Sequence, residues 1–342
     1  MVCDNNSIVM VKVLIQDIAD RLGLSKSTVS LILNGKAKEG RICEATCKKV
    51  LEAAAEMRYQ PNEIARSLST GKTRSIGVVV TDISNEFFGY LTYYIQKQAR
   101  KYGYCVIVAN SNENLDDFNE AVATLLNRQT DGILLVPVDG GEDTAKRIAD
   151  RNVPLVQVDR YYPDLAFSYV IVNNYESSVD ATEKLIKKGC RRIAVVCYGF
   201  QNTLIERKQG CVDTLKRHGL LDNDIIKDID FANQEEDIRQ AILDLKNCKE
   251  KVDAIFFCSR RVFTIGLKYI SQEGIRIPED MQLFCFDRVD LFSIMNVPIN
   301  YIEQPVQEIA EQAVDILMEK IKSPTGETMR HQRILKTILC IN

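Results

Sequence analysis

Leu14-Ile-Gln-Asp-Ile-Ala-Asp-Arg-Leu-Gly-Leu-Ser-Lys-Ser-Thr-Val-Ser-Leu-Ile-Leu-Asn34 reads as two short helices joined by a tight turn. Leu14, Ile18, Ala19 and Leu22 recur at helical spacing and give the first segment one apolar face. Gly23 supplies the permissive backbone at which that helix stops. Ser25 is placed to cap a second helix, its hydroxyl accepting from a free backbone N–H. In that second helix Val29, Ile32 and Leu33 point inward, leaving Ser27, Ser30 and Leu31, flanked by Lys26, on the outer face. Small hydroxyls and a lysine suit a DNA major groove, where they reach phosphates and base edges. A plain helical hairpin with a solvated face fits the same pattern, so the flanking residues must discriminate.

After Asn34-Gly35, the residues Lys36, Lys38 and Arg41 form a basic loop suited to phosphates. A third helix follows, with Val50, Leu51, Ala54 and Met57 as its inner face. Three short helices around a tiny core make a headpiece near the minimum size that folds alone. Tyr59-Gln-Pro-Asn62 breaks the third helix, because the residue before a proline is pushed out of helical geometry. The next segment, Asn62-Glu-Ile-Ala-Arg-Ser-Leu-Ser69, carries a narrow apolar strip of Ile64, Ala65 and Leu68 and ends at Thr70-Gly71. Helices under about 12 residues are marginal in water. Such a piece orders only when something covers the strip, as a DNA minor groove does with Leu68 wedged between base pairs and Arg66 near phosphate. The alternative is a plain interdomain linker.

The 342 residues suffice for two or three domains with real cores. A 46% hydrophobic and 27% charged composition is that of an ordinary globular protein, and no apolar run is long enough to span a membrane. Met1–Met10 lacks the basic lead and long apolar stretch of a signal peptide, which implies a cytoplasmic protein. The 11 cysteines follow no framework spacing and the two histidines have no ligand-like neighbours. They read as reduced and mostly buried thiols, and no metal or other cofactor is implied. Net charge is +4 over residues 1–75 and −7 over the remainder. A basic head on an acidic body fits a polyanion-binding module attached to a separate sensor.

From Ile76 onward short β-rich runs alternate with amphipathic helical segments. The runs are Ile76–Val80, Cys105–Ala109, Gly132–Val136, Leu155–Val158, Tyr169–Val172, Ile193–Val196, Ala254–Phe257 and Met281–Phe286. Such alternation predicts parallel sheets with helices on both faces. The pattern restarts after Ile171, which predicts two similar lobes. Ligands in open parallel sheets sit beyond the carboxyl ends of strands. The candidates are therefore Asp82, Asn85, Phe87 and Phe88 after the first strand, Asp159-Arg160 after the fourth, and Asp287 after the strand ending at Phe286.

The chain resembles the lactose-repressor (LacI/GalR) family of bacterial transcriptional regulators. The resemblance rests on Ile18-Ala-Asp20, Gly23-Leu-Ser-Lys-Ser-Thr-Val-Ser30, Asn34-Gly35, Tyr59-Gln-Pro-Asn62, Ala65-Arg-Ser-Leu68 and Ile76-Gly-Val-Val-Val-Thr-Asp-Ile-Ser-Asn85. It runs in order from Lys12 across nearly the whole chain. It implies an α/β protein: an all-α helix-turn-helix headpiece over residues 12–60, a hinge helix or linker over 61–73, and a body over 74–342. That body would have two periplasmic-binding-protein-like lobes with doubly wound parallel sheets, the first from about 74–172 and 303–333, the second from about 173–302 and 334–342. It further implies that Ser27, Thr28 and Ser30 contact the groove and that Leu68 pries open the central base step. Lys26, Leu31, Lys36, Asn62, Ala65 and Arg66 complete the expected DNA-contacting set. Arg207 and Gln304 match family positions that grip a ligand.

Three departures from the family pattern stand out. Leu31 replaces a usual arginine, and an apolar side chain there suits a thymine methyl group. Cys43 replaces the usual serine cap of the third helix. Cys258-Ser-Arg-Arg261 replaces a neutral pair. With Arg160 and Arg207, Arg260 and Arg261 would give the crevice excess positive charge and suit an anionic effector such as a uronate or sugar phosphate. Alternatively these guanidinium groups point to solvent or pair with Asp290. The expected function is a homodimeric repressor of carbohydrate-utilisation genes, bound to a near-palindromic duplex operator and controlled by a small-molecule effector, with no membrane partner. The rivals are a two-lobed solute-binding sensor without a DNA role and an enzyme. Against the latter, no nucleophile elbow, P-loop or paired metal ligands occur.

Overall fold

A computed structural model describes residues 13–60, 66–67, 71–290, 297–323 and 329–342. The chain divides into two compact units, Met1–Thr73 and Arg74–Asn342. Among the described residues no helix is long and apolar enough to cross a membrane.

The first unit contains helices α1 (Ile15–Leu22), α2 (Lys26–Leu33) and α3 (Glu44–Glu56). Asp17 turns back to accept the Leu14 N–H at 2.7 Å, which fixes the start of α1. Gly23 ends it at φ 64°, a left-handed conformation that favours glycine. Ser25 caps α2 through Thr28 N–H at 3.0 Å. Ile18, Ala19, Val29, Ile32, Val50, Ala53 and Ala54 close over one another as the core. Two expected core positions fall outside it: Leu14 is 54% and Leu51 53% exposed. Leu14 sits at the cap, before the helical face begins. Ala53 replaces Leu51 because α3 approaches its neighbours closely and presents small residues there.

Cys43 occupies the N-cap of α3 without a side-chain bond to the backbone; its Sγ lies 3.1 Å from Thr46 Oγ1 instead. A serine oxygen caps far better than a thiol. Cys43→Ser is therefore expected to raise the melting temperature of the head by about 4 °C. Hydrogen exchange of α3 amides should slow in parallel, and unchanged exchange would refute the capping argument.

In the second unit each lobe is built on one six-stranded sheet. The first has the order β11-β5-β4-β3-β1-β2. Its strands are β1 (Ser75–Val80), β2 (Cys105–Asn110), β3 (Gly132–Leu135), β4 (Leu155–Val158), β5 (Ser168–Val172) and β11 (Gln332–Leu335). The second has the order β12-β10-β9-β8-β6-β7. It comprises β6 (Ile193–Tyr198), β7 (Ile226–Ile229), β8 (Ala254–Phe257), β9 (Gln282–Phe286), β10 (Asn300–Glu303) and β12 (Ile338–Cys340). Among the described residues all pairings are parallel except β10 with β12. Both sheets place their first-entered strand between the second and third, the doubly wound pattern that opens a crevice where strand order reverses.

Helices cover both faces of these sheets, so the central strands are apolar on both sides. In the first lobe, Ile76, Val78 and Val80 of β1 join the core that includes α4 (Glu86–Lys101) and α11 (Val306–Lys322). Val79 points the other way, into the core with α5 (Leu115–Asn127) and α6 (Glu142–Asp150). In the second lobe α7 (Asn174–Lys187) packs on α8 (Asn202–Arg217), and α9 (Gln234–Lys246) on α10 (Arg260–Gln272). Gly210 permits the α7–α8 approach, since a Cβ there would meet the Tyr175 carbonyl oxygen at 2.4 Å.

Among the described residues the chain crosses between lobes after β5, after β10 and between β11 and β12. The last crossing corrects the boundary expected at residue 334. Ile334 and Leu335 pair with Ile171 and Val172 in the first sheet, and the chain leaves only at Lys336-Thr337. Asn173 Oδ1 accepts from Thr337 N–H at 3.0 Å, and the two crossing segments run side by side.

Candidate functional site

The outer face of α2 presents Lys26 and Ser27 to solvent, with Thr28, Ser30 and Leu31 half-buried. Ser25, Ser27 and Thr28 share a hydroxyl cluster, each contact 2.8 Å. Asn34 Nδ2 donates to the Ser30 carbonyl at 2.8 Å, holding the end of α2 to the loop that carries exposed Lys36, Lys38 and Arg41. Leu31 differs from the expectation of a free outer side chain. It leans over Gly40, whose Cβ would meet Leu31 Cδ1 at 2.9 Å. Arg66 lies half-buried in a helical turn. Asn62, Ala65 and Leu68 lie outside the described residues, and with them the wedge reading.

All eleven residues expected at the effector site line one crevice between the lobes of the body. It encloses about 70 Å³ of free space, room for roughly five waters at the ~10–15 Å³ that each needs. Most wall residues sit at or just beyond the carboxyl ends of strands, while Thr203, Leu204 and Arg207 come from α8. Phe87 and Phe88 meet edge to face at 5.1 Å on one side. Tyr198, Phe200 and Phe231 form an aromatic trio on the other, with centroids 5.5 to 5.6 Å apart. Asp159, Gln201 and Asp287 stand at φ 67°, 67° and 96°. Such backbone costs about 1–3 kcal/mol per residue and is held where it aims a side chain.

Arg207 lies at the centre, 4% exposed. Its Nε donates to Asn174 Oδ1 at 2.8 Å, Nη1 donates to the Cys258 carbonyl at 3.0 Å, and the guanidinium stacks 3.6 Å from the Phe286 ring. Burial pushes Asp159 up to about 6, partly opposed by Arg160 and Arg207. Burial also raises Asp287, again opposed first by Arg207. Gln304 Nε2 donates to Asp287 Oδ1 at 2.6 Å. The side-chain oxygens of Gln201 and Gln304 are buried without a hydrogen-bond donor. Leaving such acceptors unmet costs about 1–3 kcal/mol each, so both seek a donor that enters the crevice. Asn85 spends its oxygen on capping α4 through Phe87 N–H at 3.1 Å.

The excess positive charge expected from the arginines is not present. Arg261 pairs with Asp82 at 2.8 Å, Arg260 with Glu86, and Arg160 with Glu113 at 2.7 Å. The first two pairs bridge the lobes. Asp290, the partner considered for Arg260 and Arg261, accepts from Tyr90 at 2.8 Å and also acts on Arg260 as a nearby negative charge. The walls thus hold four arginines against four carboxylates, Asp82, Glu113, Asp159 and Asp287.

Several wall residues escaped the sequence reading. Phe200 and Gln201 follow β6, and the strand-end rule that selected Asp287 reaches them too. Phe231 follows β7, an edge strand with no strong apolar run. Glu113 carries no local signal; only Arg160 and Gln201, distant in sequence, give it meaning.

Comparison with known proteins agrees with this architecture. Residues 14–62 match the model of bacterial regulatory proteins of the lacI family, and residues 182–341 that of a periplasmic binding protein-like domain. The HTH-type transcriptional repressor PurR of Aliivibrio salmonicida is 30% identical over 317 residues, covering 92% of this chain and 93% of that protein. The ribose operon repressor of Haemophilus influenzae is 28% identical over 313 residues, covering 90% and 92%. Among solved structures, the lac repressor dimer bound to operator and the anti-inducer ONPF superposes with a TM-score of 0.84 at 21% identity, covering 96% of this chain and 98% of that one.

Proposed function

The chain belongs to the lacI family of bacterial regulatory proteins, and on that premise we propose that it is a homodimeric repressor of carbohydrate-utilisation genes whose effector is a monosaccharide. It is a DNA-binding transcriptional regulator with an effector-binding body, and the solute-binding alternative is not favoured. Two heads on a two-fold dimer suit the half-sites of a near-palindromic operator. The dimer of the superposing lac repressor supports this assembly. On this reading Lys26, Ser27, Thr28, Ser30 and Lys36 face the duplex, and Asn62, Ala65, Arg66 and Leu68 follow the minor groove.

The observation that carries the effector reading is the pair of donor-seeking acceptors, Gln201 Oε1 and Gln304 Oε1, in a crevice with room for roughly five waters. A sugar ring supplies about that many hydroxyls, each able to donate and accept. Its apolar faces suit the aromatic walls, and the ribose operon repressor among the relatives points to the same class. Effector binding changes operator affinity only by its differential affinity for two lobe orientations. Selection of bound duplexes from a random pool by the full-length protein is expected to yield one inverted repeat, with affinity altered by a monosaccharide. Enrichment of no inverted repeat, with or without sugars, would refute the proposal.

Asp159 gives this binding a pH dependence. Burial favours its neutral form, so it gains a proton as pH falls through about 6. The ionised carboxylate accepts from sugar hydroxyls more strongly than the acid. Affinity is therefore expected to rise with pH, level off above about 6, and fall by up to about tenfold per unit below it. A calorimetric profile that stays flat from about pH 5 to 7.5 would exclude Asp159 as an ionised acceptor.

A further inference from the structure

Glu113 lines the crevice beside Arg160. It leaves the loop after β2, and its side chain is 9% exposed. Both its oxygens accept from Arg160, Oε1 from Nη2 at 2.7 Å and Oε2 from Nη1 at 2.9 Å. From the opposite lobe Gln201 Nε2 donates to Glu113 Oε2 at 2.8 Å. That two-point pairing is how a guanidinium would hold a ligand carboxylate or phosphate. The protein therefore already supplies the anion that Arg160 is shaped to receive.

We infer that Glu113 is a specificity-determining residue, whose carboxylate fills the forked face of Arg160 and restricts the crevice to uncharged polyols. The inference rests on the reading of this crevice as the effector site. An acidic ligand has two routes in, and both are unfavourable. It can displace Glu113 and leave that carboxylate buried without its partner, or it can sit beside Asp159 and Asp287 as a further anion. Arg260 and Arg261 give it no other anchor, because Glu86 and Asp82 hold them, and Arg207 already serves as counter-charge to Asp159 and Asp287. Selectivity of this kind comes from repulsion built against the wrong ligand, while hydroxyls still reach Gln201 and Gln304.

The test is calorimetric titration of the full-length protein with D-glucose against D-glucuronate and D-ribose against D-ribose 5-phosphate. The wild type is expected to bind a neutral sugar and reject its acidic counterpart. Glu113→Gln keeps the shape, frees Arg160, and is expected to shift the neutral-to-acidic affinity ratio by at least about tenfold toward the acid. Arg207→Ala, measured in parallel, should abolish the neutral binding and so place it in the crevice. An unchanged ratio in Glu113→Gln, with binding lost in Arg207→Ala, overturns the role of Glu113 and leaves the site standing. Wild-type protein that binds an acid as tightly as its neutral counterpart overturns it whether or not the variant folds. Binding that survives Arg207→Ala, or binding of none of the four, overturns the monosaccharide site and the inference with it.

Discussion

Arg207→Ala is expected to lose effector binding by at least about 100-fold, the largest effect of any single change in the crevice. The buried guanidinium is fixed by Asn174, the Cys258 carbonyl and the face of Phe286, so its remaining donors have one direction to point. It is also a principal counter-charge to Asp159 and Asp287, each raised by burial. Removing one partner from a buried charged set costs about 3–5 kcal/mol, because the other is left uncompensated. The carboxylates then take up protons and cease to act as ionised acceptors. Arg207→Lys keeps the charge but not the fork, and an intermediate loss is expected. Calorimetry on the folded variants decides the matter. Affinity within about threefold of the wild type for Arg207→Ala would show that the ligand does not rest on this residue.

Much of this site was legible because parallel sheets put continuous apolar runs where both faces are buried and leave the ligand loops at their carboxyl ends. Ile76–Val80 is such a run, and Asp82 to Phe88 follows it. The same logic fails at edges. β7, Ile226–Ile229, carries Lys227 and Asp228 between its isoleucines and offers no apolar run, which hid Phe231. Ile334 to Ile341 reads as one run, yet Lys336-Thr337 passes it from one sheet to the other. Charge was the least legible property. Four arginines in sequence imply an anion-binding crevice, but Asp82, Glu86 and Glu113 reach three of them only through the fold. In the head, helical spacing located most of the inner-face residues, Ile18, Ala19, Val29, Ile32, Val50 and Ala54 among them. What it missed, at Leu14 and Leu51, depends on where a helix starts and how closely its neighbour approaches.

Those small errors matter little to the head's dependence on its few core residues, and Ile18→Ala should show that dependence directly. Ile18 is fully buried among Ala19, Val29, Ile32, Val50, Ala53 and Ala54, five of which are alanine or valine. Truncating a buried isoleucine to alanine costs about 2–5 kcal/mol. A core in a domain this small supplies about 3–5 kcal/mol at most, so the loss approaches the whole stability of the head. Among the described residues each unit has buried apolar cores of its own. The variant is therefore expected to lose specific operator binding entirely while effector affinity and the main melting transition stay unchanged. Hydrogen exchange resolves the two units: amides of α1 to α3 should exchange at the rate of unfolded chain, and those of β1, β3, β6 and β8 should remain protected. Retained operator affinity, or a body that melts earlier with the head, would refute a separately folding reader. The sensing body would then have to be part of the structure that holds α2 in shape.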